Sequence, residues 1–245
     1  MRTTTRFFGM MLAAATIGGA MLGGCSTVSN DCIEGSGKII SATLTVGDVS
    51  GINATGSMRV YVTQGDASSL RIEADDNIIN HLEPRIANGD LTFNNEMCYS
   101  ATRPVTVYVT MKNVERLSMN GSGAIIGQTP LTSPNLAVDI TGSGKVEIQT
   151  TSDDVTVNIV GSGAASVSGT ATNVATRIEG SGEVRGFGLR AINTTAVIEG
   201  SGDVETTTMN ILDATIRGSG DIVYKGNPET VKQNITGSGS LKKRS

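Results

Sequence analysis

The sequence predicts an all-β protein: a parallel β-helix, or β-solenoid, of coils about 19–21 residues long that turn at Gly-Ser-Gly corners. Three observations predict it. Gly-Ser-Gly stands at 121–123, 142–144, 161–163, 180–182, 200–202, 218–220 and 237–239, at steps of 21, 19, 19, 20, 18 and 19 residues. Apolar residues alternate with polar ones on both sides of each copy, the period of a strand. No window carries a helical period beyond a single turn at 76–82. A fixed period near twenty residues marks stacked units, each too small to bury its own apolar face.

Taken in chain order, the first element is an export leader. Arg2 and Arg6 precede an uncharged run over 7–22 rich in Phe, Met, Leu, Ala and Gly. Such a run is short of the roughly 20 apolar residues that span a bilayer, and a charged start followed by a short apolar run is a secretory signal. Leu22-Gly23-Gly24-Cys25 resembles the lipobox of bacterial lipoproteins, in which small residues admit the peptidase and the cysteine thiol takes the lipid. The expectation is a signal peptide over 1–24, acylation at Cys25, and a tether over 25–37. Each buried CH₂ of the acyl chains adds about 0.8 kcal/mol of membrane affinity. Ser26 rather than Asp after the cysteine favours the outer membrane in chains resembling the enterobacterial ones.

Loss of 1–24 removes two arginines and no acid, which takes the formal net charge from −4 to −6. That sign excludes nucleic acid as the main partner, because phosphate binding needs clustered Lys and Arg. Lys242-Lys243-Arg244 reads as a solvated basic tail over 242–245. The partners left are the membrane, through the lipid, and an envelope protein or glycan. Cys32 and Cys98 are expected to pair as a disulfide, since export leads to an oxidising compartment. Without histidine partners they make a poor metal site.

The body reads as one solenoid domain over 38–241. Its first part, 38–117, is the less regular and reads as an N-terminal cap, with strands at 39–46, 59–64, 70–74, 91–93 and 105–111. Asn88-Gly89 between Ile86 and Leu91 is a hairpin turn signal, and a longer loop over 94–104 carries Cys98. Gly35-Ser36-Gly37 is an eighth corner copy and Gly56-Ser57-Met58 a decayed ninth.

The second part, 118–241, is regular. Met119, Ile140, Ile159, Ile178, Ile198, Ile216 and Ile235 each precede a corner by two residues, and Ile125, Val146, Ala165, Val184, Val204, Ile222 and Leu241 follow it by two. If coils stack, these form two buried columns, with Ser143, Ser162, Ser181, Ser201 and Ser219 laddered at the corner. Polar stretches such as Thr151-Ser152-Asp153-Asp154 read as turns between repeats. Steps that wander between 18 and 21 favour a right-handed coil over a strict hexapeptide one. The alternative is an antiparallel meander with Gly-Ser-Gly hairpin loops, in which Ile178 pairs with Val184 across its own corner.

The segments Ser50-Gly51-Ile52-Asn53-Ala54, Gly56-Ser57-Met58-Arg59-Val60-Tyr61-Val62-Thr63-Gln64-Gly65 and Leu70-Arg71-Ile72-Glu73-Ala74-Asp75-Asp76-Asn77, followed by Asn88-Gly89-Asp90-Leu91 and the Gly-Ser-Gly copies, resemble the head GIN domain family over about 45–240. Its members are described as "putative autotransporter-type adhesins". The resemblance implies a β-helical cell-envelope protein, and it supplies no catalytic or ligand residue to carry over. Fold alone does not establish the activity.

The chemistry-bearing residues are few. His81 is the only histidine and has no nucleophile beside it. Gly-Ser-Gly is neither the G-x-S-x-G nucleophile elbow nor a phosphate loop, and most copies lack the aspartate of calcium-binding nonapeptides. Stacking would place Glu183, Asp203 and Asp221 in one column just after the corner, and Glu179 and Glu199 in another before it, with Arg217 beneath. Like charges at about 4.8 Å repel, so a cation bound by Glu183, Asp203 and Asp221 is the sharp reading, and neutralisation by Lys145, Arg217 and water the plain one. Stacked carboxylates also raise a polysaccharide-active enzyme as the alternative function. A mature chain with no Trp and few aromatic residues offers little for sugar stacking, so the expectation is a non-enzymatic surface binding or structural module that needs no cofactor.

Overall fold

A computed structural model describes residues 32–94 and 98–245. The expected signal peptide, Cys25 and the first half of the tether lie outside the described residues. Runs of Val, Ile and Thr at period two form strands, and the strands Leu131–Gly142, Lys145–Gly161, Ala164–Gly180, Glu183–Gly200 and Asp203–Gly218 pair in parallel, each with the next. Asp221–Lys225, Thr230–Gly237 and Ser240–Lys243 continue the stack. Ile178 faces Ile159 on one side and Ile198 on the other, and Val184 faces Ala165 and Val204. The fold is therefore the parallel solenoid, and the meander is excluded. Ile140, Ile159, Ile178, Ile198 and Ile216 are each at most 1% exposed, so the column is the core.

The Gly-Ser-Gly corner works through its main chain. Gly180 has φ +124°, a region L side chains rarely adopt, and a Cβ there would lie 2.5 Å from the Gly161 carbonyl oxygen. A Cβ on Gly182 would lie 2.6 Å from the Cγ2 of Ile159 in the coil before it. The first glycine thus makes the bend, and the second lets the isoleucine column close under it. The expected serine ladder is a backbone ladder: Ser162 N–H donates to Gly142 O (2.8 Å) and Ser181 N–H to Gly161 O (2.8 Å). The side chains of Ser143, Ser162, Ser181, Ser201 and Ser219 face solvent.

The polar stretches between corners are not hydrogen-bonded turns. Lys145–Gly161 is one strand throughout, and its inward residues are 146, 148, 150 and 152, then 155, 157 and 159. Asp153 and Asp154 both face outward. That pair shifts the alternation by one residue, which is how a strand rounds a corner while keeping its parallel ladder. Chain reversal needs only this shift, because the next coil lies alongside rather than across.

The cap is more elaborate than a worn-down solenoid. Gly51–Gly56 and Arg59–Gln64, with the decayed corner between them, already form a regular coil and stack in parallel on Arg116–Gly121 and Ala124–Gly127. The regular part thus begins before 118. Beyond that coil the pairing changes direction. Thr106–Met111 lies parallel to Arg59–Gln64, Ser69–Asp75 runs antiparallel to it, and Ile39–Leu44 runs antiparallel to Ser69–Asp75. On the other face, Asp90–Asn94 is parallel to Gly51–Gly56 and forms a hairpin with Glu83–Ala87. Asn88 (φ 53°) and Gly89 (φ +83°) make the expected two-residue turn of that hairpin. The expected turn near 76–82 is a single 3-10 turn at Ile79–His81.

Two boundaries also differ from expectation. The tether does not run to residue 37, because Ile33–Glu34 pairs with Tyr99–Ser100 and the compact unit begins at Cys32. The basic tail is not loose. Lys242 pairs with Asp221 (2.9 Å), Lys243 Nζ donates to Asn227 Oδ1 (3.1 Å), and the Arg244 guanidinium lies 5.3 Å from the centroid of Phe187. One acid, one amide and one ring thus hold what composition alone makes a solvated run.

Candidate functional site

Stacking brings Glu183, Asp203 and Asp221 into register as a column. Their oxygens do not converge. Glu183 turns to Arg185 in its own strand (2.6 Å), Asp203 Oδ1 accepts the Asp221 N–H (3.0 Å), and Asp221 Oδ1 accepts both the N–H and the hydroxyl of Ser240 (2.9 and 2.6 Å). The Ser240 hydroxyl and then Lys242 hold the Asp221 carboxyl below the usual aspartate range. Among the described residues, no three acidic, His or Cys groups are placed to hold a metal ion. Glu183 and Asp221 are each paired with a nearby cation, and Asp203 accepts a main-chain N–H.

The second column behaves likewise. Glu179 lies beside Glu199, and Glu199 beside Arg217. Arg177 bridges Glu179 (2.8 Å) and Glu199 (3.3 Å), while Arg217 takes Glu199 from the other side (2.8 Å). Lys145 is two coils from Glu183, with Ala164 between, and is not the neutralising partner expected. These exposed pairs contribute little individually. They present an exposed face of paired acidic and basic side chains.

Sequence reasoning missed a third ladder, at the second corner. Asn173 Nδ2 donates to Asp154 Oδ1 (2.8 Å), Asn193 Nδ2 to Asn173 Oδ1 (3.0 Å), and Asn210 Nδ2 to Asn193 Oδ1 (3.2 Å). The signal was available. Asn135, Asp154, Asn173 and Asn193 each stand seven residues before a corner glycine. At the cap end of this ladder a cleft of about 350 Å³ opens, lined by Glu115, Arg116, Pro134, Asn135, Leu136 and Asp154 among others. Arg116 is fixed by a two-pronged contact with Asp90, its Nε at 3.0 Å from Oδ2 and its Nη2 at 2.9 Å from Oδ1, and this raises the guanidinium pKa. Amide, carboxylate and guanidinium groups side by side suit hydroxyl-rich or peptide ligands. No nucleophile paired with a base lies among these lining residues.

The point where the tether enters is strongly clamped. Cys32 and Cys98 are disulfide-bonded, with Cα atoms 4.5 Å apart, in the pairing expected from their export. Asp75 is fully buried and accepts the Gly37 N–H (2.8 Å), the Thr102 N–H (3.0 Å) and the Thr102 hydroxyl (2.7 Å). Burial pushes its pKa up. The hydrogen bonds from Thr102 and Gly37 outweigh that, and the carboxyl sits below the usual range. Asp76 accepts the Ser36 hydroxyl (2.6 Å), and Asn77 holds the Ser36 N–H and the Glu34 carbonyl. His81 lies exposed on the 3-10 turn, with no nucleophile beside it in sequence.

A family model described as "Putative auto-transporter adhesin, head GIN domain" matches residues 48–228. The chain belongs to the head GIN domain family. The GIN-domain match spans the inner coil of the cap and nearly every repeat. Among solved structures, a putative adhesin from Bacteroides fragilis is 27% identical with TM-score 0.82, covering 86% of this chain and 100% of that one. A putative lipid binding protein from Parabacteroides distasonis is 26% identical with TM-score 0.74, covering 87% and 99%. A putative adhesin from Parabacteroides merdae shares the fold at 22% identity, TM-score 0.72, covering 88% and 100%. No curated protein matches. No helix among the described residues is long and apolar enough to cross a membrane.

Proposed function

We propose that this GIN-domain protein is a non-enzymatic, lipid-anchored module of the cell envelope that presents its solenoid as an adhesive surface. Membership of the adhesin head family over 48–228 carries the reading. The ladders fit it: carboxylates that an enzyme would leave poised are tied to neighbouring donors, and the result is a stiff, repeating polar flank suited to many weak contacts. Export through 1–24 and acylation of Cys25 would place the domain at the envelope, held in the outer membrane. The partner in view is an envelope or surface protein or glycan, met across the charged columns and the cleft at Asn135 and Asp154.

Two measurements test it. Cys25→Ala should remain unprocessed or move to the soluble fraction, and normal processing with membrane retention would remove the anchor reading. Beads coated with the acylated protein should bind host surfaces or envelope glycans above albumin-coated beads, and should release no reducing ends from acidic polysaccharide. Turnover of such a polysaccharide would replace the adhesive reading with the enzymatic one.

A further inference from the structure

The solenoid core is closed along its length and open at its two ends: in the last coil Val231, opposite the buried Leu212, is 41% exposed, and the cap end is open as well. Strand Ile39–Leu44 pairs with Ser69–Asp75, and Ile40, Ala42 and Leu44 stand opposite the buried Ala74, Ile72 and Leu70. Strand Glu83–Ala87 pairs with Asp90–Asn94, and Pro84 and Ile86 stand opposite the buried Phe93 and Leu91. Both strands thus turn their apolar side to the core, but no further coil covers them. Leu44 is 37% and Ile86 46% exposed. Between the two strands lies a mostly apolar groove of about 430 Å³, lined by Ala42, Leu44, Ile72, Ile79, Leu82 and Pro84, with Asn80 and Glu83 also in its walls.

We infer that this open mouth is the surface on which the protein rests against its membrane, with Leu44 and Ile86 entering the lipid. The inference rests on the anchor proposed at Cys25. Seven residue steps separate Cys25 from Cys32, so the tether reaches at most about 25 Å. From Cys32 onward the chain is stapled to Cys98 and clamped to Asp75 and Asn77, and it then enters the edge strand at Ile39. The lipid's reach therefore ends at the cap. The last strand of the same face, Ser240–Lys243, lies ten strand steps from Ile39–Leu44, which is about 48 Å. The tether thus holds the apolar mouth close to lipid, where burial removes its contact with water.

The chain contains no tryptophan, so single introduced tryptophans report unambiguously. Full-length acylated protein is reconstituted in phosphatidylcholine vesicles with brominated acyl chains, as Ile86→Trp, as Leu44→Trp, and as Val231→Trp at the far end. Circular dichroism and an intact Cys32–Cys98 bond establish folding, and either mouth reporter suffices. The mouth reporters should lose most of their emission and the far-end reporter almost none. Adding Leu44→Asp to Ile86→Trp should restore the emission while vesicle flotation is unchanged. Floating protein with unquenched mouth reporters, including protein paired cap to cap, would overturn the docking. Equal quenching at both ends would overturn it too, since the solenoid would then lie flat. Protein that fails to float would overturn the anchor itself, a distinct result.

Discussion

Truncating Ile178 to alanine tests the stacking most directly. The side chain is fully buried between Ile159 and Ile198 in the column, and its Cγ2 lies under Gly202 of the following coil. The change removes three carbons; at about 0.8 kcal/mol per buried carbon the transfer loss alone is about 2.4 kcal/mol. The neighbours cannot slide in, because parallel ladders on both sides fix their height. A cavity term therefore adds, and the expected cost is about 3–4 kcal/mol, within the range for buried large-to-alanine changes. The assay is urea unfolding followed by circular dichroism, with amide exchange to locate the loss. Since each coil contacts only its neighbours, protection should fall first in 155–161 and 194–200. Val160→Ala, one residue along from Ile159 and 48% exposed, is the control and should change little. A cost below about 1 kcal/mol for Ile178→Ala would mean the column collapses readily, against interiors packed near crystal density, and would refute the reasoning.

Other perturbations separate backbone from side-chain roles. Gly180→Ala should destabilise by about 1–2 kcal/mol or more from its positive φ alone, with the approach to the Gly161 carbonyl adding to it. Ser181→Ala should be nearly silent in the same melts, because the ladder uses the serine N–H. Cys32→Ser with Cys98→Ser opens a link between residues 66 apart and should cost roughly 2–5 kcal/mol, read as early proteolysis near residues 32–38. Asp75 has a depressed pKa, so its stabilisation is complete above the ordinary aspartate range and is lost as pH falls through the lower folded value. Exchange of the Gly37 and Thr102 amides should therefore accelerate in that acid window. In Asp75→Asn the acid-specific change should vanish.

Much of the fold was legible because the repeat writes it out many times. Isoleucine, or Met119 at the first copy, two residues before each corner, and an apolar residue two residues after it, admit one inward face on each side of the corner. The hairpin at Asn88-Gly89 was legible because both residues must take positive φ. The cap was not. Nothing local tells Ser69–Asp75 to pair antiparallel with Thr106–Met111, since alternation is the same in either direction and the choice depends on which edge is free. The Asn173 and Asn193 ladder was legible in principle, at a constant offset from the corner, but its polar residues look like loop residues until the strand is seen to continue through them.

The charged columns show the same division. Composition and spacing determined that Glu183, Asp203 and Asp221 would align, because strands in a parallel stack at equal phase must place equal positions side by side. They could not determine that Arg185 would pair with Glu183, or Ser240 and Lys242 with Asp221, which depends on rotamers and on the register of the last coil. Likewise, an apolar period shows that Leu44 and Ile86 belong to an inward face. Only the tertiary structure shows that no further coil covers that face, because burial is a property of what stacks next and not of the strand itself.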